Sequence, residues 1–341
     1  MKTETRNCQN CRNEFTIEPD DFGFYEKIKV PLPTWCPPCR RMRRFIQTNE
    51  IVLYKRKCDL TNQDIFSMYS PSTPFPVYET DVWYSDRWDP YEYGMDFDEK
   101  RPFFEQVLEL QNKVPRMSLA RQGTAINSPY THRVSYPKNS YMTFRASYPE
   151  DCLYVYNAKY TKNCSDSAWI FDSELCYECV NVENCYNVRF SQESKDCRDS
   201  SFLYACRNCS NCILCVNLIN GKYCIWNQKY TKEEYFQKLK ELKPNTFSSL
   251  KKLEEEFREF RKKFPQKAVT SIKSEKVSGN WFSNCKNVTE SFDCVSVKDG
   301  KHLFMVFGAE DCMDYYEWGN KAEQIYESVN CGLNIARLYF C

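Results

Sequence analysis

Four cysteines near the start of the chain have the types and spacing of a metal site. Cys8 and Cys11 form one C-x-x-C pair, and Cys36 and Cys39 form a second pair after 24 intervening residues. Two such pairs are typical of a structural zinc site, because four thiolates around one Zn²⁺ complete its tetrahedron and leave no position for a substrate. We therefore predict one structural zinc bound by these four residues and no reaction at it.

A basic cluster directly follows the second cysteine pair and is a candidate for nucleic-acid binding. On a helix after Cys39, arginines three or four residues apart share a face, and a second basic run comes soon after. Such residues contact phosphates without distinguishing base sequence. The candidates are Arg40, Arg41, Arg43, Arg44, Lys55, Arg56 and Lys57. The alternatives are a solvated helix face and neutralisation by acidic residues of the same chain.

An acidic, aromatic stretch offers a different chemistry. Asp81, Asp86, Asp89, Asp96 and Asp98 are carboxylates of the kind that hold the divalent metal of hydrolases. Their spacing matches no catalytic signature, and the chain has only two histidines and no phosphate-binding or nucleophile motif. A metal-dependent nucleic-acid hydrolase is therefore a second alternative, and we expect no catalytic residue.

From about residue 139 the chain becomes repetitive. Six cysteines are separated by 12, 12, 9, 12 and 9 residues: Cys152, Cys164, Cys176, Cys185, Cys197 and Cys206. One 12 and one 9 make a period of 21 residues, with short strand-like pieces between the cysteines. A period of about 20 residues with short strands indicates a solenoid. We predict a β-helix-like coil with the cysteines as buried ladder residues; further metal binding and disulfides remain open alternatives.

Two apolar stripes interrupt these repeats and predict a helical hairpin. A capping box at Thr231–Glu234 precedes the first stripe, and residues 247–264 carry the second at spacings of three and four. Residues 229–276 carry 14 Lys/Arg against 8 Asp/Glu, which predicts a basic outer face. The 231–265 hairpin is thus a candidate contact for a protein partner or for RNA.

The sequence pattern around these residues predicts an α+β chain of five parts. A treble-clef zinc finger with a basic helix spans 1–57, and an acidic, aromatic middle region spans 58–138. A first β-solenoid segment spans 139–228, the inserted helical hairpin 229–275, and a second β-solenoid segment 276–341. Within the finger, short strands are expected around residues 15–17 and 24–30, with a helix after Cys39.

The order of a C-x-x-C pair, a hairpin, and another C-x-x-C pair at the start of a helix resembles treble-clef and zinc-ribbon domains of bacteria. The matching residues, within 6–46, are Cys8, Cys11, Phe15, Phe24, Tyr25, Pro33, Cys36, Cys39 and Arg40. The whole chain is similar to uncharacterised cysteine-rich zinc-ribbon proteins of reduced-genome bacteria through residues 33–37, 56–59 and 174–179. The resemblance implies zinc and brings no known activity.

Composition limits the class of function. The chain has 341 residues and a net charge of +1, but residues 1–57 carry +5, 59–105 carry −8 and 229–276 carry +6. No apolar stretch approaches the length of about 18 residues that a membrane span needs, and reduced cysteines favour a cytoplasmic protein. We expect a non-enzymatic zinc-binding protein that contacts RNA or a ribonucleoprotein, such as the ribosome, through its basic surfaces. The first alternative is a protein–protein scaffold without nucleic acid.

Overall fold

The computed structural model describes residues 3–288, 291–297, 300–301, 307–310, 312–314, 316, 319, 323–329 and 331–339. The fold is mixed, with few helices and one large sheet. Two compact units are present: Met1–Thr48 with Gln266–Cys341, here called unit 1, and Asn49–Pro265, here called unit 2. The five segment boundaries drawn from the sequence remain predictions.

Unit 1 begins with a hairpin of strands β1 (Glu4–Asn7) and β2 (Glu14–Ile17), followed by helices α1 (Pro19–Lys27) and α2 (Pro37–Phe45). The strand predicted around residues 24–30 is wrong, because α1 extends to Lys27. Proline at the first helical position favours this helix, and the Asp21 carboxylate accepts the Glu18 N–H at 3.0 Å.

Unit 2 begins with short elements. The first two strands form an antiparallel hairpin. The third strand, of two residues, pairs in parallel with the fourth, which follows two helices and a 3₁₀ turn in the sequence. In chain order they are β3 (Tyr54–Lys57), β4 (Asp64–Ser67), β5 (Val77–Tyr78), α3 (Thr80–Trp83), a 3₁₀ turn (Pro90–Tyr93), α4 (Phe103–Lys113) and β6 (Arg116–Met117).

A twelve-stranded sheet forms most of unit 2, and its strands are parallel except for the last pair, which is antiparallel. The strands are β7 (Arg121–Gln122), β8 (His132–Ser135), β9 (Phe144–Glu150), β10 (Leu153–Lys162), β11 (Ser165–Phe171), β12 (Val180–Glu183), β13 (Tyr186–Arg189), β14 (Gln192–Lys195), β15 (Arg198–Tyr204), β16 (Ser210–Val216), β17 (Lys222–Ile225) and β18 (Gln228–Lys229).

From β8 to β17 the register of this sheet has a constant offset along the chain. Leu153 pairs with Ser165, and Cys212 pairs with Cys224. The offset is 12 residues, as it is in the hydrogen bond from the Cys212 N–H to Ser200 Oγ. The coil length predicted from the cysteine spacing is therefore wrong. Every third residue of a repeat points inward, which gives four inward positions in 12 residues. A cysteine can occupy any of them, so cysteines are separated by multiples of three, such as 9 and 12.

A period of three residues lies within each repeat. Every third residue from Arg133 to Trp226 has a left-handed backbone, with φ between +47° and +59°. Fifteen of these 32 residues are Asn or Asp, which tolerate this conformation, and none is β-branched. The residue after each is buried, from Val134 to Cys224, except half-buried Leu218. Each triplet therefore turns one side chain inward.

The inward residues bond successive repeats together. Ser167 Oγ donates to the Ser165 carbonyl at 2.7 Å and accepts the Cys179 N–H at 3.0 Å, 12 residues on. Cysteines at equivalent positions donate in the same way, as Cys152 Sγ does to the Glu150 carbonyl at 3.3 Å. Burial raises the pKa of the Cys224 thiol, which keeps this donor protonated. These cysteines therefore act as small buried thiols.

Helices α5 (Lys232–Leu242) and α6 (Phe247–Arg261) pack on strands β15–β17. Tyr235, Leu253 and Phe257 lie in one apolar cluster with Phe202 and Ile213 of the sheet. The two helices carry seven Lys or Arg and seven Glu, and along α6 Arg258 meets Glu254 at 3.3 Å and Lys262 meets Glu259 at 2.6 Å. The exposed surface of this pair of helices is consequently of mixed charge.

A shorter parallel sheet completes unit 1, with strands β19 (Ser271–Ile272), β20 (Gly279–Ser283), β21 (Ser291–Val297) and β22 (Phe307–Ala309). Gly279 pairs with Ser291, at the same offset along the chain as in the large sheet. Buried Cys285 and Cys294 lie in its apolar cluster.

Candidate metal centre

The sulfurs of Cys8, Cys11, Cys36 and Cys39 all lie within 4.8 Å of one another. Cys11 Sγ and Cys36 Sγ are 3.7 Å apart. A tetrahedral site with metal–sulfur bonds of about 2.3 Å separates its sulfurs by about 3.8 Å. The prediction that these four cysteines lie together is confirmed, and the group could hold a single thiophilic ion.

Local backbone geometry positions both cysteine pairs. The first pair closes a tight loop in which the Cys8 N–H donates to Asn13 O and the Arg12 N–H donates to Cys8 O. Arg12 has a φ of +65°, which turns the chain back into β2. Cys36 precedes α2, and Cys39 lies in its first turn. The positive end of this helix favours thiolate over thiol.

Full ionisation of all four thiols would need a cation to compensate their charge. Burial opposes ionisation of Cys8, but hydrogen bonds from the Cys36 N–H at 3.2 Å and from the Asn10 and Cys11 N–H groups lower its pKa to about 6. Burial raises the pKa of Cys36 to about 12. Four thiolates therefore ionise together only if a metal compensates their charge, and the four sulfurs complete its tetrahedron.

Two of the predicted nucleic-acid residues are buried in ion pairs. Arg40 Nε lies 2.5 Å from Asp314 Oδ2, and Arg44 Nη2 lies 3.5 Å from Asp314 Oδ1. The side chains of both arginines are at most 4 % exposed. Arg40 also donates to the Trp35 carbonyl at 2.7 Å. These two arginines hold α2 to the C-terminal part of unit 1 and are out of reach of a phosphate.

The other five candidates have varied surroundings. Arg43 pairs with Glu327 and lies over the Trp35 ring. In unit 2, Arg56 is 7 % exposed and bonds Ser70 O, Thr73 Oγ1 and Asp59, while Lys57 pairs with Asp64 at 2.9 Å. Within the part of the chain that the structure describes, the two candidates that remain exposed with no ion pair are Arg41 and Lys55. Since Arg41 lies in unit 1 and Lys55 in unit 2, the predicted cluster is not one continuous element.

Three of the five acidic candidates have structural partners. Asp81 pairs with Arg121 at 3.5 Å, Asp89 accepts the Tyr91 N–H at 2.9 Å, and Asp98 accepts the Lys100 N–H at 2.9 Å. Across the part of the chain that the structure describes, the four cysteines are the only group of three or more His, Cys, Asp or Glu close enough to bind one ion. Neither the carboxylates nor the cysteines of the large sheet form a second such group there.

A second loop in unit 2 repeats the backbone of the metal loop, and the sequence analysis missed it. The Cys58 N–H donates to Gln63 O and the Asn62 N–H to Cys58 O, as the Cys8 and Arg12 N–H groups do in the first loop. Asn62 has a φ of +57°. The Glu79 N–H donates to Cys58 Sγ at 3.3 Å.

In this second loop, three of the four ligand positions carry other residues. Thr61 stands where the first loop has Cys11, while Glu79 and Val82 stand where it has Cys36 and Cys39. The Glu79 carboxylate accepts the Asp81 and Val82 N–H groups and so caps α3. We call residues 58–61 with 79–82 the second knuckle. Its sequence signal is the Arg-x-Cys shared by residues 6–8 and 56–58.

Comparison with known proteins does not assign the chain: no protein-family model matches it, and neither does any curated protein. Among the described residues, every helix is too short or too polar to cross a bilayer.

Proposed function

We propose that this protein is a non-enzymatic zinc-binding scaffold that holds a protein partner. The observation that carries this proposal is the group of four cysteines. A metal bound by four sulfurs has no open position for substrate or water, so it acts on folding and not on a reaction.

Zinc is the ion that best fits two C-x-x-C pairs in a reducing compartment. The 20 described cysteines are all free of disulfides, which favours such a compartment, the cytoplasm among them.

The scaffold is the large sheet of unit 2. An offset of 12 residues throughout β8 to β17, with an inward side chain at every third residue, supports a β-solenoid with four three-residue sides per coil. In solenoids each repeat contacts its neighbours and presents a regular outer surface, which is the form that binding scaffolds use. Strand β18 and helices α5 and α6 cover its C-terminal end, as a cap does.

A protein partner is favoured over RNA by where the basic residues lie. Arg40, Arg44 and Arg56 are engaged by partners within the chain, and three basic residues in or directly after α6 pair with glutamates: Lys252, Arg258 and Lys262. Contact with RNA or a ribonucleoprotein is the second candidate, and exposed Arg41 and Lys55 are the observation in its favour. A treble-clef finger around the four cysteines suits both candidates, since such fingers contact proteins as well as nucleic acids.

The first experiment measures metal content and free thiols of the purified full chain. We expect one zinc per chain, with 17 of the 21 cysteines reactive after unfolding without chelator. Iron, a second metal, or a large loss of free thiols would overturn the structural-zinc proposal. A chelator is expected to remove protection from hydrogen exchange in residues 3–48 and to leave residues 134–224 protected.

The second experiment identifies the class of partner. The tagged full chain is recovered from its native cells at about 0.1 M and about 1 M salt, between which the Debye length falls from about 10 Å to about 3 Å. A protein that is retained after ribonuclease treatment, and that binds again as a purified component, supports the scaffold. RNA recovered at low salt and lost in an Arg41→Glu, Lys55→Glu variant would favour the second candidate instead.

A further inference from the structure

Helix α4 lies in unit 2 with three of its five large apolar side chains exposed. Phe104 is 82 % exposed, Phe103 is 59 % and Leu108 is 57 %. The most buried residue of the helix is a glutamine, Gln106. An amphipathic helix normally turns its apolar side to the core, so this orientation leaves an apolar face for another molecule.

Hydrogen bonds of Gln106 fix this orientation. Its Oε1 accepts the Asp98 N–H at 2.9 Å, and its Nε2 donates to the carbonyls of Asp98 at 3.0 Å and Arg101 at 3.1 Å. These bonds satisfy the amide of a buried glutamine, which would otherwise carry a large desolvation penalty. The helix therefore cannot rotate to bury its phenylalanines without breaking them.

The exposed side chains form one cluster. The rings of Phe97 and Phe103 are 6.3 Å apart, and those of Phe103 and Phe104 are 5.4 Å apart. Leu108 follows Phe104 by one helical turn, on the same face. We call Phe97, Phe103, Phe104 and Leu108 the α4 patch. Clusters of large exposed apolar side chains on a protein surface mark interaction sites.

Carboxylates border the α4 patch in sequence. Asp96 and Asp98 flank Phe97, and Glu105 follows Phe104. Between residues 96 and 109 there are five acidic residues against two basic ones, and Glu109 pairs with Arg101 at 2.8 Å. The remaining acidic side chains are exposed. The patch is thus an apolar surface with a negative border.

We propose that the α4 patch binds a basic amphipathic segment of the partner protein, with apolar anchors against Phe104 and Leu108 and Lys or Arg toward the carboxylates. This rests on the proposed scaffold function and names the chemistry of its partner. Aromatic and aliphatic anchors supply most of the affinity of such contacts, and opposite charges around them supply orientation and rate of association. A basic helix laid on an apolar face is an established mode of this kind.

The test titrates the full chain with a fluorescent peptide of about 18 residues, or five turns at about 3.6 residues each, that carries Leu on one face and Lys on the other. Two companion peptides carry Glu in place of Lys, or Ser in place of Leu. The variant is Phe104→Ser with Leu108→Ser. Its matched control is Phe247→Ser, because Phe247 of α6 is 86 % exposed and lies outside the patch.

We expect the Lys/Leu peptide to bind, with a Kd that rises at least about tenfold in the double variant and stays unchanged in Phe247→Ser. The Glu/Leu and Lys/Ser peptides are expected to bind more weakly than the Lys/Leu peptide. Absence of binding, equal binding of the Glu/Leu peptide, or an unchanged Kd in the double variant would overturn the proposal. Metal content and circular dichroism confirm that each variant is folded.

Three further outcomes separate this proposal from the proposed scaffold function. If wild type sediments as a dimer and the double variant as a monomer, the occupant is a second copy and the proposed partner is wrong. If a purified protein partner binds the double variant as tightly as wild type, the scaffold function stands and the α4 patch fails. If no protein partner is recovered, the scaffold function fails, whatever the peptides show.

Discussion

Cys58 occupies in the second knuckle the place that Cys8 occupies in the metal group. Each sulfur accepts a backbone N–H from the residue before a helix, Glu79 at 3.3 Å for Cys58 and Cys36 at 3.2 Å for Cys8. In the second knuckle Cys58 Sγ accepts this hydrogen bond, while Thr61, Glu79 and Val82 supply no further sulfur. Burial opposes ionisation of Cys58, yet hydrogen bonds from Thr61 and from the Glu79 N–H lower its pKa.

This correspondence predicts that three substitutions install a second metal site. We expect Thr61→Cys, Glu79→Cys and Val82→Cys together to raise the metal content from one to two per chain, because the backbone that places four sulfurs is already present. Elemental analysis after exhaustive dialysis measures this. The same three positions changed to Ser provide the control, which should bind one metal. A folded triple-Cys variant that still binds one would show that the two backbones differ at the ligand positions.

The buried carboxylate of Asp314 is expected to dominate the stability of unit 1. Asp314→Ala leaves Arg40 and Arg44 buried without this carboxylate, and removal of one partner from a buried ion pair costs about 3–5 kcal/mol. Hydrogen exchange of peptides from Pro37–Phe45 in increasing urea measures the change. Glu14→Ala, at an exposed position of β2, serves as the control and should change stability by less than about 0.5 kcal/mol. Equal effects of both substitutions would contradict this role.

Some features of the fold and site could be predicted from local sequence. Metal-binding cysteines come in short pairs whose spacing is set by the turn that holds them, so Cys8, Cys11, Cys36 and Cys39 identify one another. The spacing of apolar residues likewise indicated helices where α5 and α6 lie. Both signals depend on residues within a few turns of each other.

Other features depend on contacts that the sequence does not display. Arg40 and Asp314 are 274 residues apart, so nothing near Arg40 indicates that its charge is neutralised. The repeat length was wrong for a different reason. The inward positions hold Ser, Val, Ala and Thr as well as Cys. Cysteine therefore does not recur at the same position of every repeat, and its spacing alone does not give the repeat length. The lack of β-branched residues at every third position was the better signal.

Protonation of His132 is expected to destabilise unit 2 in mild acid. The Ala120 N–H donates to Nδ1 at 3.1 Å, so Nε2 carries the proton and donates to the Asn49 carbonyl at 2.8 Å. Burial lowers the pKa of this histidine from 6.5 to about 4. Between these values the unfolded chain binds the proton and the folded one does not, so stability falls as pH falls from 6.5 to 4.

The size of this effect is about 3 kcal/mol, from 1.36 kcal/mol per unit of pKa. Urea unfolding of unit 2 across this pH range measures it against His132→Gln, whose amide also offers one donor and one acceptor. Carboxylates titrate in both proteins, so the difference between their pH profiles isolates His132. Parallel profiles would mean that the histidine is not held neutral.

The left-handed backbone at every third residue predicts which substitutions the large sheet tolerates. Asn163 is exposed and has a φ of +52°. We expect Asn163→Val to cost about 1–2 kcal/mol, because its branched Cβ clashes in this conformation, and Asn163→Gly to change stability by less than about 0.5 kcal/mol. Lys159→Val, at an exposed and extended position of β10, is the matched control, since valine is favoured there. Urea unfolding compares the three. If valine costs the same at both positions, the strain at Asn163 is absent and the three-residue period does not govern stability.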